Sequence, residues 1–348
     1  MTYRVVQWTT GNVGRQAVQA VVSHPDLELV GCYAWSPSKA GKDVGELCGI
    51  DPVGIAATND VDALLGLRPD VVVYSPMWVD VDEMVRILES GVNIVSTAAF
   101  ITGHSLGEGR QRILDACERG GTTVFGSGIN PGFADLIAIA SASVCDRVDK
   151  ITITEAADIA GYDSPETELP VGFARPIDDP ELLSMTAAGT AVFQDVVHLL
   201  GQALGVEFDE VVCEAEYHAA TEHVDLSTWE IEPGCVAGIA ASWHGKVGGR
   251  SIVELRIRWR KTTALDPPLE IVPGYHIDIE GRPTIRTKVD LLPPPDFEAT
   301  TFGEFMVLGM IATAMPAIDA IPHVVAAAPG IITYADGLLP LPKGLVSL

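Results

Sequence analysis

Thr9-Thr10-Gly11-Asn12-Val13-Gly14 is the segment of this chain whose residue types and spacing speak most directly of chemistry. It follows a short apolar run at residues 4–8 and opens a helical period that puts Val13, Ala17, Ala20 and Val21 on one face. A glycine turn between a strand and a helix start is an anion site, because unpaired N–H groups and the positive helix end converge there. Gly11 lets a pyrophosphate approach the backbone, and Gly14 lets the helix pack closely on the sheet. The N–H groups of Asn12 and Val13 then face the phosphates, with Thr10 beside them. Thr9 stands where the first glycine of G-x-G-x-x-G usually sits, so the match is incomplete. A bare strand–turn–helix would read alike; the flanking periods and the place at the chain start favour a dinucleotide.

The end of the second strand discriminates between nicotinamide cofactors. An Asp or Glu there holds the ribose 2′-hydroxyl of NAD. The chain reads Tyr33-Ala34-Trp35-Ser36-Pro37-Ser38-Lys39-Ala40-Gly41-Lys42, with no carboxylate. Ser36, Ser38 and Lys39 suit a 2′-phosphate, and Trp35 offers a face for adenine, so NADP(H) is expected over NAD(H). A solvated loop with idle lysines is the plainer alternative.

Open α/β sheets bind ligands beyond the carboxyl ends of their strands. Here those ends carry Ser75 and Pro76, Thr97 and Ala98, and the turn Gly126-Ser127-Gly128-Ile129-Asn130-Pro131-Gly132-Phe133. They are expected to line the ribose and nicotinamide, with Asn130 holding the carboxamide, since an amide both donates and accepts. Asn-Pro-Gly is also common text for a plain turn.

The elements that must position these residues alternate strictly. Strand-like runs at 4–8, 27–34, 70–74, 93–97 and 122–125 are separated by helical periods, including 82–89 and 108–118. Apolar, β-branched strands of this kind are buried on both faces, as in parallel sheets. Beyond about residue 150 the pattern becomes α+β: a strand at 150–156, a long helix at 181–204, then closely spaced strands between 211 and 289 with a turn at 243–250. The expected fold is an N-terminal Rossmann doubly wound parallel sheet (1–135) and a C-terminal α+β domain on a largely antiparallel sheet (136–299). A helix at 300–328 is expected to pack back on the first.

Composition narrows the partners. A net charge of −25 disfavours nucleic acid and anionic membranes. The longest apolar run, near 306–317, is interrupted by Gly309 and Pro316 and falls short of the roughly 18 residues of a membrane span. The N-terminus enters a strand at once, and the six scattered cysteines form no C-x-x-C, so a cytoplasmic protein with reduced thiols is expected. His218 and His223 with Glu222 do not suit a metal, because a strand sends such residues to different faces. No metal is expected.

Gln7-Trp8-Thr9-Thr10-Gly11-Asn12-Val13-Gly14-Arg15, Trp35-Ser36-Pro37, the Gly126–Phe133 turn and the Ile321-Pro322…Ala328-Pro329-Gly330-Ile331 close resemble the dihydrodipicolinate-reductase-like group. Within it they are most similar to 2,4-diaminopentanoate dehydrogenase and the native amine dehydrogenases. The resemblance implies an NAD(P)-dependent enzyme, usually a homodimer, that interconverts an amine with a carbonyl compound and ammonia. There is no His-His pair of the true reductase, so a role in lysine biosynthesis is rejected. The resemblance also implies a glutamate just after Ser96-Thr97, where this chain has Ala98-Ala99-Phe100.

Hydride transfer still calls for a proton donor or acceptor near the substrate heteroatom. Asp158 and Tyr162, where the chain enters the second domain, are the first candidates, followed by His104 and Glu155. Each also has an ordinary structural use. Three functions stay open: amine dehydrogenation or its reverse on a small, fairly apolar substrate; reduction of a C=O or C=C bond without ammonia; and a catalytically silent NADP(H)-binding sensor.

Overall fold

Val5, Val72, Ile94 and Val124 are wholly buried, and each lies on a different short strand of one parallel sheet. A computed structural model describes residues 2–299 and 302–345 of the chain. They divide into two units, Met1–Phe133 with Val307–Leu348, and Ala134–Met306.

In the first unit, β1 (Tyr3–Trp8), β2 (Leu27–Tyr33), β3 (Val71–Tyr74), β4 (Asn93–Ser96) and β5 (Thr123–Gly126) are joined by Gly330–Ile332. The order is Gly330–Ile332, β5, β4, β3, β1, β2, and every pairing is parallel. The chain reverses its direction of winding between β1 and β3, the switch point where such sheets open a crevice. This is the Rossmann arrangement that the alternating runs imply.

The helix Val307–Ala326 packs on α1 (Asn12–Ser23) and on β3, β4 and β5. It corrects one expectation: the apolar run does not stop at Pro316 but continues for 20 residues through Pro316 and Pro322. By length and composition alone it could cross a membrane. Within the unit its inward residues, among them Ala314, Ala317, Ile318 and Ile321, are wholly buried against the sheet layer. That packing keeps the helix going where proline removes a hydrogen bond.

The second unit is built on a seven-stranded sheet ordered Leu265–Asp266, Glu210–Ala220, Val236–Val247, Arg250–Arg260, β6 (Arg147–Asp158), Gly274–Arg282, Ile285–Val289. All its pairings are antiparallel except that of β6 with Arg250–Arg260. Alternation decides its faces. Ile151, Ile153, Val253, Leu255 and Ile257 join one apolar core with residues of the helices Ala134–Ala142 and Val192–Leu204. Their neighbours Thr152, Glu254, Arg256 and Arg258 line polar grooves on the other face. The sheet's open face is therefore polar, not the apolar surface that a dimer contact of the ordinary kind would use.

Two local expectations change. The helix read at 181–204 is two helices, Leu182–Gly189 and Val192–Leu204. Between them buried Thr190 donates to the Thr186 carbonyl at 2.6 Å and accepts from Trp243 Nε1 at 3.0 Å, a side-chain alternative to helix propagation. The turn read at 243–250 shrinks to Gly248 and Gly249, with φ of 56° and 76°, as a two-residue hairpin requires.

Candidate functional site

Thr9 holds φ = 74° although it is β-branched. Three bonds fix it there: its N–H donates to the Tyr33 carbonyl (3.0 Å), its hydroxyl to the Ser75 carbonyl (2.8 Å), and its own carbonyl accepts from Gln7 Nε2 (3.0 Å). A residue that needs no such support would be glycine, which explains the incomplete motif. A Cβ on Gly14 would lie 2.5 Å from the Thr9 oxygen, so the helix can approach the strand only with glycine there. A Cβ on Gly11 would meet no protein atom within 4 Å, and Gly11 has an ordinary φ of −73°. Neither strain nor packing asks for that glycine; a close-lying ligand does.

Gly11 is the N-cap of α1 and offers no side-chain cap, and the first turn carries no acidic residue. The helix start is thus left for an outside anion. Lys39 reaches it: Nζ donates to the carbonyl (3.1 Å) and the hydroxyl (3.0 Å) of Thr10. The hydroxyls of Ser36 and Ser38 share a 2.8 Å bond, and Trp35 is 78% exposed beside them. Thr97 donates to the Ser75 hydroxyl (3.0 Å), joining the ends of β4 and β3 next to Pro76. Ala98 is buried and donates its N–H to the Ser96 hydroxyl (3.1 Å). Half-buried Asn130 sits in a turn held by Ser127, which shares a 2.6 Å bond with Tyr334, and by Gly132 at φ = 138°. The residues present fit a dinucleotide: an uncapped helix start, a cradle that a methyl group at Gly11 would fill, and a lysine at its rim.

The second unit contains a cavity of about 430 Å³. Its apolar wall is made by Ala157, Ile159, Val171, Phe173, Trp259 and Met306; Glu155, Asp158, Glu168, Tyr162 and Thr167 supply the polar groups. β6 delivers Glu155 and Asp158, and the segment after it delivers Tyr162. Three of the four candidates for proton transfer thus line one cavity. The fourth, His104, belongs to the first unit, on the turn His104–Leu106, with Nδ1 2.8 Å from the Thr102 hydroxyl.

Each carboxylate is differently held. Glu155 Oε1 accepts from Trp259 Nε1 at 2.8 Å, and Asp158 Oδ2 accepts from Arg260 Nε at 3.0 Å. Glu168 is buried against Lys261, which is wholly buried itself. Burial pushes the Glu168 carboxyl up and the Lys261 ammonium down, while their contact opposes both shifts. The sequence gave no hint of Glu168, Lys261 or Trp259. Glu168 stands in acidic text and Lys261 ends an Arg-Trp-Arg run, both of which read as solvated. His218 and His223 do diverge: the first is buried with Nδ1 2.7 Å from the Pro267 carbonyl, the second is exposed beside Glu230 and Glu232.

Residues 133–348 match the profile of the 2,4-diaminopentanoate dehydrogenase C-terminal domain. The chain belongs to the 2,4-diaminopentanoate dehydrogenase family. Residues 5–110 match the dihydrodipicolinate reductase N-terminus. An amine dehydrogenase from Streptomyces virginiae is 33% identical over 349 residues, 95% of each chain. The 2,4-diaminopentanoate dehydrogenase of Acetoanaerobium sticklandii is 24% identical over 360 residues, covering 99% of this chain and 95% of its own. The fold matches the structure of amine dehydrogenase from Mycobacterium smegmatis with a TM-score of 0.79, at 18% identity and over 99% and 98% of the two chains. As a member of the 2,4-diaminopentanoate dehydrogenase family the chain is an NAD(P)-dependent oxidoreductase acting on a small molecule.

Proposed function

We propose that this oxidoreductase is an NADP(H)-dependent amine dehydrogenase that interconverts a small, apolar amine with a ketone or aldehyde plus ammonia. The observation that carries the reading is the lining of the second unit's cavity: three carboxylates among apolar side chains, with no basic residue among them. Such a wall attracts an ammonium group and accepts hydrocarbon, and it offers nothing to a substrate carboxylate. The names of the Streptomyces and Mycobacterium relatives point the same way. NADP(H) rather than NAD(H) is supported by Lys39 at the glycine turn, by Ser36 and Ser38, and by the lack of a carboxylate in residues 33–42.

Gly11, Asn12, Val13 and Lys39 would hold the phosphates, and the nicotinamide, when bound, supplies the hydride acceptor. Glu155 takes one proton from the substrate ammonium, leaving a neutral amine whose lone pair assists departure of the hydride from carbon. The resulting iminium adds water, and collapse of the adduct releases ammonia and the carbonyl compound. Asp158 and Tyr162 stand close enough in the same wall to orient the nitrogen and that water. Glu155 thereby takes the place of the glutamate missing at Ala98-Ala99-Phe100. A cytoplasmic homodimer is proposed with it, on the resemblance; light scattering showing a monomer would remove the dimer.

The test is oxidation of NADPH with small ketones and aldehydes, with and without ammonium chloride, repeated with NADH. Turnover that requires ammonia and prefers NADPH is expected. Turnover indifferent to ammonia would establish the second reading, a carbonyl reductase, which the missing glutamate favours. NADPH bound but never consumed would leave a sensor.

A further inference from the structure

We propose that Lys261 is the positioning residue of the cavity: it pins the segment 159–168 as a fixed wall and thereby sets the affinity for the organic substrate. The proposal rests on the reading of this cavity as the substrate site. Lys261 follows the last residue of the strand Arg250–Arg260, and its side chain is wholly buried. Its Nζ donates to the Ile159 carbonyl (3.1 Å) and to the Tyr162 carbonyl, and lies against Glu168 Oε1. An ammonium has three N–H bonds, and three oxygens of one segment surround this one. It is therefore not an available nucleophile. The Trp229 ring, 5.1 Å away, covers it further.

All three oxygens belong to the stretch that starts at Ile159 and ends at Glu168. That stretch gives the cavity Ile159, Tyr162, Thr167 and Glu168, yet it contributes no strand to the sheet. Glu168 Oε2 also accepts from the Ser164 N–H at 3.2 Å, so the pair closes the segment on itself. Other residues in the stretch, Ala160-Gly161 and Ser164-Pro165, form no regular element that would hold Tyr162 in place. The lysine substitutes for a ladder. A buried ion pair is poor value as a source of stability alone, since burial costs both charges their hydration. Its use here is to give a loop wall one conformation.

The test compares Lys261→Met, the apolar pair Lys261→Met/Glu168→Leu, and Glu155→Gln with the wild-type protein. Backbone hydrogen exchange at 159–168 is read on the protein alone, and KM for 2-pentanone with ammonium chloride and NADPH is read in turnover. Both lysine variants are expected to exchange at least tenfold faster in that segment and to raise KM at least tenfold. The NADPH dissociation constant should stay within twofold, because its binding residues lie in the first unit. If Lys261→Met fails to fold through its stranded glutamate, the double variant carries the same two expectations. Unchanged exchange overturns the pin. Faster exchange with an unmoved KM, while Glu155→Gln does alter turnover, overturns the positioning role. Should Glu155→Gln alter nothing either, the proposal falls together with the assignment of the cavity.

Discussion

The Thr9 hydroxyl donates to the Ser75 carbonyl at 2.8 Å, and this bond spans the ends of β1 and β3, the two strands between which the sheet changes winding direction. It ties the phosphate turn to the next strand end at the crevice itself. It also explains how a β-branched residue keeps φ = 74°.

Thr9→Val keeps the branch and the strained φ but loses the bond, and should destabilise the protein by about 1–2 kcal/mol. Thr9→Gly loses the bond but removes the strain, and should be near neutral. Urea unfolding measures both; a Val variant as stable as wild type would show that the hydroxyl holds nothing.

Gly11 and Gly14 separate binding from folding. Gly11→Ala adds a methyl group to open space, so the melting temperature should stay while the NADPH dissociation constant rises at least tenfold, about 1.4 kcal/mol. Gly14→Ala drives a methyl group to 2.5 Å from the Thr9 oxygen and should lower the melting temperature. Calorimetric titration and thermal melts distinguish the two; undiminished affinity in Gly11→Ala would contradict the cradle.

Lys39→Ala tests cofactor choice. The KM for NADPH should rise about tenfold with NADH barely affected, as expected for loss of one charge-assisted contact to a phosphate. Equal loss with both cofactors would mean that Lys39 serves only to hold Thr10.

Two buried carboxylates give stability opposite slopes with pH. Burial of Glu254 favours its neutral form, but hydrogen bonds from Arg256 and Lys150 together outweigh that and hold its carboxyl down at about 2. Its contribution is present above the ordinary value of 4.5 and disappears as pH falls toward 2. Asp319, on the helix Val307–Ala326, is raised by burial to about 6. The fold prefers its neutral form, so stability drops as pH rises from 3.8 through 6. Asp319→Asn should therefore raise the melting temperature at pH 8, by roughly 1–3 kcal/mol in stability, and leave it unchanged at the acid end. Thermal melts across the range decide; a wild-type pH profile in the Asn variant would refute the assignment.

Much of the cofactor half was legible in the linear text. Local rules suffice there: β-branched runs of four or five residues bury both faces, a glycine turn must lie between strand and helix, and the residues touching a dinucleotide cluster within a few positions of each strand end. The catalytic half was read only in part. Glu155, Asp158 and Tyr162 could be suspected because β6 and the segment after it are continuous in sequence, so candidates named there stay together.

Sequence by itself determined the alternation, the parallel sheet, the phosphate turn and the absence of a carboxylate after β2. Tertiary structure alone decided the rest. It tolerated threonine in a left-handed position through partners on β2 and β3, carried a helix through two prolines because a packed sheet lay beneath it, and broke another at Thr190 because Trp243 reached its hydroxyl. It also buried Lys261 and Glu168, two residues whose surroundings in sequence are those of a solvated surface. The physical reason is the same in each case. Propensity and pattern act over neighbouring residues at a few tenths of a kcal/mol, whereas burial and the pairing of charge depend on groups that only the folded chain brings into contact.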